Sequence, residues 1–212
     1  MKIDFLFISE GSSDEPLVGH LELLCLRAGA EEASGRWIDF RKYPAPPGKA
    51  VHDQLRWIMD NFHGFNLVFI HRDADMADDS NIRRVIAQGV TASGLSVAHV
   101  PVVPVQELEA WLLLDETAIR SVAGNPRGRT PLDLPKPKHI ENRADPKRVL
   151  QTALSAAEKP GRRRKSFPSM RRTLLERLDI DGDINQLLAW QKLLDDLRVT
   201  LAERLLEESQ PD

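Results

Sequence analysis

The sequence predicts an α/β protein: a mainly parallel four-stranded sheet flanked by helices, followed by a C-terminal helical region. Three observations carry this reading. Short apolar runs alternate with amphipathic stretches through the first half of the chain. Most of those runs are apolar on both faces, as strands covered by helices on both sides must be. Beyond a proline-rich stretch, apolar residues recur only at helical spacing.

The strands are expected at 2–8, 36–41, 66–71 and 95–103. The 36–41 run alternates polar and apolar residues, so it is expected at a sheet edge. Between them, 14–28 places Leu17, Leu21, Leu24 and Ala28 on one helical face, with Gly29 as the stop. Residues 49–62 repeat the pattern with Val51, Leu55, Ile58 and Met59, and a third helix is expected over 79–92. After the last strand, 106–123 reads as one helix ending near Gly124. Pro126, Pro131, Pro135 and Pro137 then deny residues 125–145 a ladder or a long helix. Helices follow over 146–158, 167–178 and 186–208, the last with a stripe of Trp190, Leu193, Leu194, Leu197, Leu201 and Leu205 that is read as core or a partner-helix face; residues 206–212 are expected to fray. The expected organisation is an α/β domain over 1–124, a basic loop over 125–145 and a helical region over 146–212 packed on the same core.

Composition narrows the class. No run of about 18 apolar residues is present, so a spanning helix and a membrane partner are not expected. The opening Met1-Lys2-Ile3-Asp4-Phe5-Leu6-Phe7-Ile8 has an acid within its apolar stretch and reads as a strand, not a secretory signal. Cys25 is the sole cysteine, which forbids an internal disulfide and a multi-cysteine zinc site. A reducing, cytoplasmic location is expected. The net charge of −3 hides a separation: residues 120–172 hold 15 of the 29 Lys and Arg but only four acids, a balance of +11.

Two strand ends carry acids. The first strand runs into Ser9-Glu10-Gly11-Ser12-Ser13-Asp14, and the third into His71-Arg72-Asp73-Ala74-Asp75. Ligands of parallel α/β sheets bind at carboxyl strand ends. Carboxylates gathered there repel one another unless a cation neutralises them. A hard cation such as Mg²⁺ takes oxygen ligands and keeps several waters. With it in place, the acids position a phosphodiester and activate water. Gly11 lets the backbone turn tightly. A plainer reading stands beside this one: Asp14 or Ser13 caps the next helix, and Asp73 and Asp75 are loop acids like Asp78 and Asp79.

Glu10-Gly11-Ser12-Ser13-Asp14 followed by Asp73-Ala74-Asp75 resembles the Toprim domain of topoisomerases, primases and overcoming-lysogenization-defect nucleases. Residues 104–115, with Glu107 and Glu109 leading into Trp111-Leu112-Leu113, resemble small stand-alone Toprim-like proteins encoded near bacterial phage-defence genes. The resemblance covers about residues 2–116 and implies a Rossmann-like sheet with a Mg²⁺ or Mn²⁺ site built from Glu10, Asp73 and Asp75. Glu107 or Glu109 is the further acid. Two apart on a helix, they point about 200° apart, and Glu109 is favoured because it lies four residues before Leu113. The only tyrosine, Tyr43, heads a proline-rich turn, which does not fit a topoisomerase nucleophile. No Gly-x-x-x-x-Gly-Lys-Ser/Thr is present, so any ATPase is expected as a separately encoded partner.

Arg162, Arg163, Arg164, Lys165, Arg171 and Arg172 form the densest basic runs and are the candidates for phosphate contact, set against a solvated-loop reading. Phe167 is the only aromatic residue between 112 and 189, so no stacking platform is indicated in this segment and backbone or duplex contact is expected. His71 is read first as a packed or hydrogen-bonded residue and second as a general base or phosphate-orienting group. The expected function is a Mg²⁺-dependent nuclease or phosphodiesterase on DNA or RNA, and the resemblance implies a setting in phage defence. The alternative is a non-catalytic Toprim-like subunit that binds nucleic acid or an ATPase. Oligomeric state is not legible.

Overall fold

The computed structural model describes residues 1–159, 161 and 165–208. Its sheet consists of β1 (Lys2–Ile8), β2 (Glu32–Trp37), β3 (Leu67–His71) and β4 (Ala98–Val102), all parallel, in the order β2-β1-β3-β4. The α/β architecture and four-stranded parallel sheet follow the sequence pattern. No described helix is long and apolar enough to cross a membrane.

Two compact units interleave along the chain. The first holds Met1–Arg72, Ser80–Val103 and the chain from Lys192 onward; the second holds Asp73–Asp79 and Pro104–Gln191. The sequence reading divides the chain at 124 and 145 instead.

The first unit contains the sheet with α1 (Leu17–Arg27), α2 (Val51–Asn61) and α3 (Ser80–Ser93). Every residue of β3 is buried, and Phe5 of β1 meets Phe69 of β3 edge to face at 4.9 Å. Such strands cannot face water on either side, which is why they read as continuous apolar runs. The strand order reverses direction between β1 and β3, and this is the switch point at which parallel sheets open a crevice. Ile8 pairs with Ile70 there, so β1 and β3 end side by side. The last helix of the chain, α9 (Leu188–Glu208), buries Leu193, Leu197 and Leu201 within this unit. Arg83 donates to Asp196 at 2.6 Å and Arg204 to the carbonyl of Asn66 at 2.9 Å, fixing the helix in register.

The second unit is helical: α4 (Glu109–Leu112), α5 (Glu116–Val122), α6 (Pro137–Ile140), α7 (Pro146–Ala157), α8 (Phe167–Glu176) and the first turn of α9. Trp111 and Trp190, both buried, meet edge to face at 5.0 Å. The Glu141 carboxylate accepts from the N–H groups of Leu188 and Ala189 and so caps α9.

Several boundaries differ from the sequence reading. The edge strand β2 covers Glu32–Trp37, not 36–41, although it does lie at the edge. Residues 38–41 leave the sheet because Asp39 accepts from the N–H of Arg41 and nucleates a 3₁₀ turn over Phe40–Lys42. The single helix expected over 106–123 is two short ones. Asp115 breaks it by taking extended geometry and accepting from the N–H of Ala118. The expected 14–28 helix becomes a 3₁₀ turn at Ser12–Asp14 followed by α1. The proline-rich stretch contains the short helix α6, with Pro137 in its first turn.

Candidate functional site

The residues singled out by the sequence fall into both units. In the first unit, Ser9 ends β1 and ties its turn twice. Its hydroxyl donates to the carbonyl of Gly11 at 2.9 Å and accepts from the indole N–H of Trp37 at 3.0 Å. Glu10 follows, with its side chain half exposed, and its Oε1 lies 3.7 Å from Nε of Arg72. Arg72 is buried at the end of β3, where its guanidinium donates to the carbonyl of His71 at 2.7 Å and to Oε1 of Gln54 at 2.6 Å. Burial draws its pKa downward and the Glu10 carboxylate opposes that shift. Arg72 escapes a motif reading because it is the residue just before the Asp-x-Asp; the visible signal is an arginine closing an all-apolar strand.

Asp14 is buried and its Oδ2 lies 3.4 Å from Nδ1 of His71, also buried. The pair is ionic when the imidazole is protonated. Asp14 is not the cap of α1: Pro16 stands at that position, with no side-chain cap among the described residues. His71 is packed in the core with the Asp14 carboxylate as a neighbour.

In the second unit, the Asp-x-Asp turn is laced to the segment preceding α4. Asp73 accepts on Oδ1 from the N–H of Leu108 at 2.9 Å. Ala74 donates to the carbonyl of Pro104, Asp75 to that of Gln106, and Gln106 to that of Met76, at 2.9–3.1 Å. Asp75 and Gln106 both take positive φ, 55° and 63°, to make this double turn. Asp75 itself is exposed. Acids from two distant stretches are thus held in one place.

Glu107 is half exposed, and its Oε2 accepts from the N–H of Lys147 at the start of α7 at 3.1 Å. Partial burial pushes its carboxyl above the usual carboxylate range. The Lys147 N–H pulls it down, while the charges of Glu109 and Asp73 push it further up. Glu109, favoured by helical phase, is buried and accepts on Oε1 from Nε of Arg171 at 2.9 Å. Arg171, a phosphate candidate, is therefore buried against Glu109. Lys165 and Arg172 are exposed, the latter donating to Glu176 at 3.1 Å. Arg162, Arg163 and Arg164 lie outside the described residues.

Among the described residues, no group of three or more His, Cys, Asp or Glu side chains is arranged as a metal cage. A Mg²⁺ ion does not demand one, since it keeps waters and is commonly held by one or two carboxylates. Asp73 and Glu107 fit that requirement: both present oxygen donors, and the bond from the Leu108 N–H holds the Asp73 carboxylate against the segment that bears Glu107. Glu109, neutralised by Arg171, does not fit as a ligand.

The fold defines an α/β protein with a parallel four-stranded sheet and strand-end acids. Compared with protein-family models, curated proteins and solved structures, the chain matches none.

Proposed function

We propose that this chain is a Toprim-like, Mg²⁺- or Mn²⁺-dependent phosphodiesterase or nuclease acting on nucleic acid. The observation that carries the reading is the Asp73–Leu108 hydrogen bond, which holds the Asp-x-Asp turn against the segment bearing Glu107. A divalent ion bound there supplies Lewis-acid polarisation of a phosphodiester oxygen and a water of lowered pKa. Asp73 and Glu107 hold it, Glu109 and Arg171 brace the helix beneath them, and exposed Lys165 and Arg172 attract the phosphates. The resemblance adds Glu10 and Asp75 as ligands. It also brings the phage-defence setting and a separately encoded ATPase.

Calorimetric titration with Mg²⁺ and with Mn²⁺ tests the ion. Asp73→Asn keeps an oxygen to accept from Leu108 while removing the charge, so weakened binding in a folded variant supports the reading. Equal binding in wild type, Asp73→Asn and Glu107→Gln refutes it. Glu10→Gln and Asp75→Asn test the two added ligands individually.

The buried Glu109–Arg171 pair favours a second reading, a non-catalytic nucleic-acid-binding or ATPase-partner subunit, because it takes one candidate acid out of play. In that case metal-dependent cleavage is absent. Nucleic-acid binding then falls when Arg162, Arg163 and Arg164 are reversed to Glu.

A further inference from the structure

We propose that the aromatic and basic surface formed by the end of β2, the 40–49 loop and the end of α2 binds single-stranded nucleic acid by base stacking. The site narrows the substrate class of the proposed function, and its link to cleavage rests on that reading; the binding itself does not.

Trp57 of α2 is the hub. Phe40 meets it edge to face at 5.4 Å, Tyr43 at 4.7 Å, and Phe62 tilts against it at 6.0 Å. Edge-to-face packing of this kind is a preferred arrangement of aromatic pairs and by itself only closes off apolar surface. Two features go beyond closure. Cations sit over ring faces on the two sides of the edge strand: the Arg36 guanidinium lies 5.7 Å from the Phe62 ring centre, and the Lys42 ammonium 5.8 Å from that of Trp37, whose side chain leaves the opposite face of β2. The loop carrying Tyr43 is also open to solvent, with Arg41 to Pro46 all exposed. It is nevertheless shaped in advance, because Trp57 donates its indole N–H to the carbonyl of Ala45 at 3.0 Å and Pro44, Pro46 and Pro47 restrict its backbone. Preorganised aromatic groups bind at a low entropic cost.

Beside this cluster a cleft of about 240 Å³ opens between Arg36, Phe62, Phe65 and His63. It lies below the roughly 300–1,000 Å³ that encloses drug-sized ligands, and so suits one planar base. Asp4 on its wall offers an acceptor for base N–H groups. Arg36 lines the cleft, and it and the loop residues Lys42 and Lys49 are exposed to meet phosphates. Arg41 is held by Asp39, with N–O distances of 2.7 and 2.9 Å. Aromatic faces interleaved with cations track a strand whose bases are open, whereas the bases of a duplex are already stacked on one another.

The test is fluorescence anisotropy with labelled oligo-dT of about 20 nucleotides and a duplex of equal length, in EDTA. The site predicts binding of oligo-dT at least about tenfold tighter than duplex. Tyr43→Ala, Arg36→Gln and Lys42→Gln are each expected to weaken oligo-dT binding about tenfold while leaving the circular-dichroism melting curve intact. Oligo-dT binding retained by a wild-type protein that cleaves nothing in Mg²⁺ or Mn²⁺ refutes the proposed function alone. No oligo-dT binding, equal or tighter binding of duplex, or unchanged binding in folded Tyr43→Ala and Lys42→Gln overturns the site.

Discussion

Arg171 donates from Nε to Oε1 of Glu109 at 2.9 Å, with both side chains less than a tenth exposed. The pair joins α8 to α4, directly beneath the segment that meets the Asp-x-Asp turn. Two desolvated charges tolerate each other's company far better than either tolerates solitude.

Removing one partner therefore strands a buried charge. Arg171→Ala or Glu109→Ala is expected to cost about 3–5 kcal/mol in urea unfolding. Replacing both, as in Glu109→Leu with Arg171→Met, should recover most of that loss. The double-mutant cycle reads the coupling directly, and additive losses would contradict a paired interaction.

Glu107 gives a pH signature. Its carboxyl is raised on folding, chiefly by burial, with the Glu109 and Asp73 charges adding to it. A raised acid favours the protonated form in the folded state, so its contribution is fully present below the ordinary carboxylate range. That contribution is lost as pH rises through the folded value. Glu107→Gln keeps an acceptor for Lys147 and removes the charge. It should melt above wild type at neutral pH and level with it near pH 4. Mg²⁺ should raise the melting temperature of wild type at neutral pH but not that of the variant. A variant that melts below wild type at neutral pH contradicts the electrostatic assignment.

Gly89 lies inside α3, where alanine ordinarily gains about 1 kcal/mol in helix propensity. Here a methyl group would stand 2.6 Å from Cβ of Val51 in α2, an atom with no flexible end to move aside. Overpacking costs about 1–3 kcal/mol, so Gly89→Ala is expected to destabilise. Thermal denaturation decides it, and a raised melting temperature would show that α2 and α3 are less closely packed.

The parallel sheet was legible because β1 and β3 are apolar on both faces, a pattern that few other environments demand. The edge strand was misplaced for a reason local sequence cannot reveal. Its position is set by partnership, Gly35 facing Phe5 across the pair and leaving room for that ring. The alternation at 36–41 belongs instead to a strand end and a 3₁₀ turn. Glu109 was preferred over Glu107 because it lies four residues before Leu113, but the helix is a single turn over Glu109–Leu112 that ends before Leu113. Its partner Arg171 lies 62 residues away and carries no mark that separates it from the neighbouring solvated cations. The charge separation along the chain was likewise visible. The aromatic surface beside β2 was not, because its rings are spread between Phe40 and Phe62 and gather around Trp57 only in the fold.

The central claim is most directly tested by cleavage of labelled single-stranded and duplex DNA and RNA in Mg²⁺ or Mn²⁺, comparing wild type with Asp73→Asn. A divalent-ion-dependent cleavage that EDTA abolishes, and that falls at least about a hundredfold in the folded variant, is the predicted result. Equal cleavage by the two proteins, or none from wild type under any of these conditions, contradicts the claim.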